Sequence, residues 1–151
     1  MTQPIRVLVT NAGEGPGINF CRALRRADQL YHIIGAEPVP YRFWNAEADE
    51  MHPLLPGSDP RFISQLKALA QKTRADVVYA SDTNEELLKL SRHRDEIIAT
   101  GAHVLMPDDD KVTIFEDKWK TYQYLKSANV RAPSTEIVDT PEQLDACWTV
   151  W

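Results

Sequence analysis

The pattern that most constrains the fold is strand, glycine turn, helix and strand in residues 5–37. The β-branched run IRVLVT at residues 5–10 is typical of a strand that is covered on both faces. It is followed by the turn sequence NAGEGPG at residues 11–17, by apolar residues at helical spacing, and by the apolar run YHIIGAE at residues 31–37. This succession, within about thirty residues, predicts a βαβ unit.

The next part of the chain repeats this alternation. Amphipathic helical patterns at residues 62–70 and 87–95 alternate with short apolar runs at residues 76–80 and 104–106. Strands that alternate with helices predict an α/β fold, here a Rossmann-like open parallel sheet with helices on both faces. Residues 38–60 contain five prolines, and we interpret this segment as a long loop of functional importance.

The character of the chain changes at Pro107, where we place a domain boundary. Residues 1–107 are predicted to form the Rossmann-like domain, and residues 108–151 an incomplete second domain. In the second part we predict, in chain order, a helix capped by Asp108, a helix capped by Asp117, a strand at 136–138, a helical turn at 141–144 and an apolar strand at 148–151. An unpaired apolar strand is an aggregation liability, so we expect the chain to end inside this domain.

Composition places the chain among ordinary globular proteins. At 151 residues it can bury one core, which fits one domain and a fragment. A formal charge of −5 argues against an extended nucleic-acid surface, and no apolar run reaches the ~18 residues of a membrane span. The two cysteines form no C-x-x-C pair, and the four histidines show no metal-ligand spacing. We therefore expect a cytoplasmic protein without metal-ligating residues in this chain.

The glycine turn is the first candidate binding site. Gly13, Gly15 and Gly17 place backbone N–H groups and a helix N-terminus at the carboxyl edge of the predicted sheet, an arrangement that suits an anion. The spacing is G-x-G-x-G rather than G-x-G-x-x-G, and Pro16 removes one donor. Glu37, twenty residues after Gly17, stands where an acidic residue would hold a ribose. Alternatively, the glycines only permit a tight turn between strand and helix.

A second candidate is the segment SDTNEE at residues 81–86, after the third predicted strand. Ligands of open α/β sheets bind beyond the carboxyl ends of the strands, so Asp82 and Asn84 are candidates for substrate contacts. Asp82 serves equally well as a helix cap. In either case we expect Asn11, Glu37 and Asp82 to converge on one edge of the sheet.

Lys118 is the most specific single residue. Asp117 is a good helix cap and puts Lys118 at the first helical position, where a cation opposes the helix dipole. An anion bound jointly by the helix N-terminus and Lys118 would explain this placement. A solvated lysine whose stem packs on Trp119 or Tyr122 explains it as well. The residues alone leave both explanations open.

Together these features resemble the ATP-grasp superfamily, in particular the carbamoyl-phosphate-synthase-like ligases, over essentially the whole chain. The resemblance is carried by residues 7–17, 34–37, 82–88 and 133–135 and, most specifically, by Asp117-Lys118 with Tyr122 and Leu125. It implies a pre-ATP-grasp domain followed by the start of a domain that clasps ATP and Mg²⁺. It also implies that the full-length protein activates a carboxylate as an acyl phosphate, which a nucleophile then attacks.

The resemblance implies roles for particular residues. In the family, the basic residue at the position of Lys118 contacts ATP phosphate. The pre-ATP-grasp domain contributes to the substrate site, so a small-molecule carboxylate is expected near this edge of the sheet. The expected substrate-binding residues are Asn11, Gly13, Gly15, Gly17, Glu37, Asp82 and Asn84.

The resemblance also implies what this chain does not supply. In the family, a second basic residue on phosphate, the adenine-binding hinge and the magnesium ligands come further along the sequence. One lysine does not neutralise and position a triphosphate, and phosphoryl transfer needs the metal as well. We therefore expect neither tight ATP binding nor catalysis by this chain alone.

Two other functions stay open. The first is a dinucleotide-binding module of an oxidoreductase that uses Gly13, Gly15, Gly17 and Glu37, and it predicts NAD(P) binding by this chain alone. The second is a non-catalytic binding or regulatory module that uses the sheet edge and the proline-rich segment. In each case the apolar tail at residues 148–151 would favour homo-oligomers.

Overall fold

The computed structural model describes residues 3–81 and 84–150. The chain divides into two compact units, Met1–Asp109 and Asp110–Trp151. Within the described residues, no helix combines the length and the apolar content that crossing a bilayer requires.

The first unit is built on a five-stranded sheet in which every neighbouring pair of strands is parallel. Its strands are β1 (Ile5–Thr10), β2 (Tyr31–Glu37), β3 (Glu50–Pro53), β4 (Val77–Ala80) and β5 (His103–Val104), in the spatial order β3-β2-β1-β4-β5. β1 is central, and its Val7 pairs with Ile33 of β2 on one side and with Val77 of β4 on the other. The predicted open parallel sheet is confirmed.

Helices cover both faces of this sheet. They are α1 (Gly15–Arg25), α2 (Phe62–Thr73), α3 (Asn84–Arg92) and α4 (Arg94–Ile98). Because side chains alternate along a strand, Val7 and Val9 of β1 pack with Cys21 of α1, whereas Leu8 packs in the cluster that includes Leu66 of α2 and Leu90 of α3. Burial of each large apolar side chain contributes roughly 1.5–3 kcal/mol.

The proline-rich segment at residues 38–60 is more ordered than its sequence indicates. It contains a 3₁₀ helix, Pro40–Asn45, which we call the 40–45 turn, and the edge strand β3. Glu50 of β3 pairs with Ile34 of β2. The prediction of a continuous loop is therefore wrong, because a four-residue edge strand containing one apolar side chain gives no periodic signal.

Polar side chains attach β3 to its neighbours. The carboxylate of Glu50 lies 3.0 Å from each of three side-chain nitrogens, which are Nε2 of His32, Nε2 of His52 and Nη2 of Arg6. Partial burial acts to raise the pKa of Glu50, but the hydrogen bonds with His52 and His32 hold it below its ordinary value. His32 and His52, which are far apart in the sequence, thus contact the same carboxylate, that of Glu50.

Two elements of the first unit differ in extent from the sequence-based expectation. The helix predicted at residues 87–95 is divided at His93, whose backbone (φ −109°, ψ 18°) is not helical, so that α3 and α4 are separate. The strand predicted at residues 104–106 is present but pairs over His103–Val104. Beyond it, the Leu105 N–H still donates to the Val78 carbonyl oxygen at 3.0 Å.

The second unit is helical in its regular parts. α5 (Asp109–Phe115) begins directly after Asp108, and α6 (Lys118–Ser127) and α7 (Pro141–Val150) follow. Asp117 caps α6 as predicted, since its Oδ1 accepts the Lys120 N–H at 3.0 Å. The strands predicted at residues 136–138 and 148–150 are wrong: the first forms no ladder with any described residue, and the second continues α7. A strand needs a partner for its backbone groups, whereas a helix pairs them locally. Trp151 lies outside the described residues.

Candidate functional site

The strand order places a topological switch point between β1 and β4. From β1 the chain proceeds to β2 and β3 on one side of the sheet, and it then returns to β4 and β5 on the other. In open α/β sheets, ligands bind outside the carboxyl ends of the strands at such a point. Here the Ser81 hydroxyl, just after β4, donates to the Thr10 carbonyl oxygen at the end of β1 at 2.5 Å. We call this region, from the glycine turn at residues 11–17 to Glu37 and Ser81, the switch-point edge.

At the switch-point edge, a side-chain atom of Asn11 and one of Thr10 are buried without a hydrogen-bond partner among the described residues. Asn11 is 3% exposed, its backbone is left-handed with φ of 46°, and its Nδ2 has no partner in the described part of the chain. The same holds for Oγ1 of Thr10, which is fully buried. An unsatisfied buried donor costs about 1–3 kcal/mol. Buried polar atoms without partners are rare in native folds, and one explanation is that a bound ligand satisfies them.

Glu37 organises the glycine turn. It ends β2 and is fully buried, its Oε2 accepts the backbone N–H of Gly13 at 3.2 Å, and its Oε1 accepts that of Val39 at 3.3 Å. Burial raises the pKa of Glu37, and the two backbone donors act in the opposite direction. Both carboxylate oxygens are thus used inside the protein. This arrangement disfavours the ribose-binding role that the dinucleotide hypothesis requires.

Packing explains two of the three glycines in the turn. A Cβ atom on Gly13 would lie 2.3 Å from the carbonyl oxygen of Arg42, and a Cβ atom on Gly17 would lie 2.3 Å from that of Asn11. Gly15 begins α1, and a Cβ atom there would meet nothing within 4 Å. Tight packing therefore requires glycine at positions 13 and 17, whereas Gly15 is free of this requirement.

Arg42 joins the switch-point edge from the 40–45 turn. Its guanidinium contacts the carboxylate of Glu14, and its Nη1 lies 3.7 Å from Oε1 of Glu37. It also lies 5.9 Å from the ring centroid of Tyr41. Sequence reasoning missed Arg42, because its partners come from the glycine turn and from the end of β2. The one signal in the sequence is an arginine set among aromatic residues in a segment already marked as functional.

The structure brings most of the predicted substrate residues to this one edge. They are Asn11, Gly13, Gly15, Gly17 and Glu37. Asp82 lies outside the described residues, and only the backbone of Asn84, at the start of α3, is described. A binding role for these residues stays a prediction.

Lys118 belongs to the second unit and is the first residue of α6. Its side chain is exposed, and it makes no ion pair or ring contact with the described residues. Trp119 and Tyr122 pack on each other with ring centroids 5.5 Å apart, and the ring of Tyr122 is approached by Nζ of Lys126 at 5.8 Å. The described contacts therefore decide neither explanation of Lys118, and its contact with an anion stays a prediction.

The second unit also contains an apolar cavity of about 550 Å³. It is lined by Glu136, Val138, Leu144, Cys147 and Trp148.

Among the described residues of the whole chain, no group of three or more His, Cys, Asp or Glu side chains has a geometry that would hold a metal ion.

Comparison with known proteins places the fold. No protein-family model matches the chain, and no curated protein matches it in sequence. Among solved structures, the biotin carboxylase domain of a single-chain bacterial carboxylase matches 97% of this chain with a TM-score of 0.58 and 20% identity. Pyruvate carboxylase from Rhizobium etli matches 91% of this chain with a TM-score of 0.59 and 16% identity.

A third match is the biotin carboxylase domain dimer of the 2-oxoglutarate carboxylase from Hydrogenobacter thermophilus, solved with MgADP, ADP and bicarbonate. It covers 96% of this chain with a TM-score of 0.56 and 16% identity. The likeness is one of fold. The chain thus shares the fold of the matching part of these biotin carboxylase domains, an open parallel α/β sheet flanked by helices. It spans 34% of the first of these structures, 13% of the second and 32% of the third.

Proposed function

We propose that this chain is part of an ATP-dependent carboxylate ligase of the carbamoyl-phosphate-synthase-like kind. It supplies a pre-ATP-grasp domain in residues 1–107 and the opening helices of the ATP-grasp domain in residues 108–151. The observation that carries the proposal is the fold match to a biotin carboxylase domain, because it extends over 97% of the chain and so includes residues of both units. The finer assignment rests on the Asp117-Lys118 helix start and the glycine turn.

In the complete ligase, ATP with Mg²⁺ supplies the phosphoryl group that turns the carboxylate into an acyl phosphate. Lys118 contacts the ATP phosphate, since its exposed ammonium group adds to the positive end of α6. The switch-point edge receives the small-molecule carboxylate through Asn11 and the glycine turn, which Glu37 holds in place, and Asp82 and Asn84 contribute to the same substrate site. On this proposal the chain alone binds nucleotide weakly, because a triphosphate needs more positive charge than one lysine provides.

Titration calorimetry of Mg·ATP into the full-length ligase tests the role of Lys118. Lys118→Ala should weaken binding by about 10- to 100-fold, which corresponds to the roughly 1.5–3 kcal/mol of a charge-assisted hydrogen bond. Lys126→Ala is the matched control, since it removes a cation from the last turn of the same helix and should change the affinity less than about twofold. Equal affinities for the native protein and Lys118→Ala would rule out the proposed contact.

A second titration separates the ligase from the dinucleotide alternative. The dinucleotide module would bind NAD(P) through this chain alone, whereas the ligase proposal expects no such binding. The buried Glu37, with both of its oxygens bonded to the backbone, supports the second outcome. Saturable NAD(P) binding by the chain that is lost in Gly15→Trp, which fills the open space at the helix start, would favour the alternative.

A further inference from the structure

The N-terminus of α1 has no side-chain cap. Glu14 occupies the N-cap position, yet its carboxylate makes no capping hydrogen bond. Pro16 has no N–H, and within the described chain the N–H groups of Gly15 and Gly17 donate no hydrogen bond. The first turn is therefore left with two free donors at the positive end of the helix dipole.

Arg42 accounts for the missing cap. Its guanidinium contacts the Glu14 carboxylate, and its own position is fixed by Glu37 at 3.7 Å and by the packing of its carbonyl group against Gly13. The side chains of Arg42 and Glu14 are 29% and 25% exposed. An ion pair that is shielded to this degree is stronger than a fully solvated one. Glu14 is thus drawn away from the helix whose N-cap it forms.

Asn11 gives an independent sign that this place receives a ligand. Its carbonyl group packs directly against Gly17 in the first turn of α1. Its side-chain Nδ2, in a residue that is 3% exposed, has no hydrogen-bond partner in the described part of the chain. The segment of residues 11–17 therefore contains a buried, unsatisfied amide donor in addition to the free N–H groups of Gly15 and Gly17.

We propose that Arg42 is a positioning residue, which keeps the first turn of α1 open to an anionic group by holding the Glu14 carboxylate away from it. That this anionic group is the carboxylate of the substrate rests on the proposed function. The effect of Arg42 on the position of the Glu14 carboxylate does not depend on that function. Without Arg42, the Glu14 carboxylate would turn back and accept the Gly17 N–H, which is the third helical position that N-cap side chains reach. Its negative charge would then occupy the place of the ligand.

Amide hydrogen exchange at Gly17, measured by NMR on the ¹⁵N-labelled chain, tests this proposal. In Arg42→Gln the Gly17 amide should exchange at least about tenfold more slowly, because the released Glu14 caps it. The double variant Arg42→Gln with Glu14→Ala should return the exchange to the native rate, since the side-chain acceptor that would cap the Gly17 N–H is gone. Arg42→Lys should stay close to native, because it keeps a cation at this position.

Two further variants make the result specific. Arg22→Gln breaks the exposed pair between Arg22 and Glu47 on α1 and should leave Gly17 unaffected. Arg42→Met keeps the aliphatic stem and should behave like Arg42→Gln, so the test survives if the glutamine variant does not fold. Native exchange in the Gln and Met variants, or equal slowing with and without Glu14, would overturn the proposal. No nucleotide is involved, so this failure is distinct from a failure of the Lys118 titration.

Discussion

The backbone N–H of Gly13 donates to the carboxylate of Glu37 across 3.2 Å, and this bond ties the turn after β1 to the end of β2. Arg42 closes the same arrangement from the 40–45 turn, through Glu37 and through its contact with Gly13. The candidate site is therefore held by contacts between segments that are distant in sequence. The contribution of these contacts to the free energy of unfolding, and its dependence on pH, can be measured directly.

Gly13→Ala should destabilise the first unit. The added methyl group would lie 2.3 Å from the Arg42 carbonyl oxygen, so the 40–45 turn has to move, and overpacking of this kind costs about 1–3 kcal/mol. Gly15→Ala is the control, since open space surrounds that position, and it should change the free energy of unfolding by less than about 0.5 kcal/mol. Urea unfolding followed by far-UV circular dichroism gives both values. Equal effects at the two positions would contradict the close contact.

Glu37→Gln should change how stability depends on pH. Burial raises the pKa of Glu37 above its ordinary value of 4.5, so on raising the pH the unfolded chain releases this proton before the folded chain does. The contribution of Glu37 to the free energy of unfolding therefore falls as the pH rises from about 4.5 through the raised pKa, and it levels off above that. Native minus Glu37→Gln unfolding free energies, measured at a series of pH values, should decline across this window. A difference that increases with pH would show that the folded carboxylate is stabilised instead.

Cys21 should be inert to thiol reagents in the folded chain. Burial raises its pKa to about 11, so at pH 8 about one thiol in a thousand is ionised, and the side chain is also inaccessible. Cys147 is partly exposed and should react. Ellman's reagent should therefore detect one thiol in the native chain, none in Cys147→Ser and both after unfolding. Rapid reaction of Cys21 in folded Cys147→Ser would indicate that α1 opens readily.

Leu66→Ala should cost about 2–5 kcal/mol, because the Leu66 side chain is fully buried between α2 and the sheet and its loss leaves a cavity. Leu30→Ala removes the same atoms from a residue that is 64% exposed, and it should cost less than about 0.5 kcal/mol. Chemical unfolding of the two variants beside the native chain measures the difference. A small effect at Leu66 would mean that the core on this face of the sheet is looser than its packing indicates.

The sequence was sufficient for the parts of the fold that carry a strong local pattern. β1, β2 and β4 are short apolar runs, and their burial on both faces produces that pattern directly. β3 was missed, because its Glu50 and His52 have no apolar periodicity and the strand exists through its pairing with β2. The β propensity of residues 148–151 predicts a strand, but context overrides propensity, and residues 148–150 continue α7.

The candidate site was also predictable only in part, because some of its contacts join segments that are distant in sequence. Asn11 and Glu37 were placed on one edge because parallel strands end on the same side of a sheet. Arg42 was not found, since neither its contact with Gly13 nor its pairing with Glu14 is encoded by spacing along the chain. Local pattern therefore predicts which strand ends meet, and long-range packing decides which side chains from the loops join them.

The cluster around Glu50 has a consequence for the outer margin of the sheet. There the Glu50 carboxylate of β3 contacts the side chains of His32, His52 and Arg6. The side chains of Arg6 and Glu50 are 31% and 34% exposed. Dissolved ions screen charges over roughly 8–10 Å at moderate ionic strength, and they reach this cluster more easily than the centre of the sheet. Concentrated salt should consequently fray β3 while β1, enclosed by its neighbours and by both helical layers, stays intact.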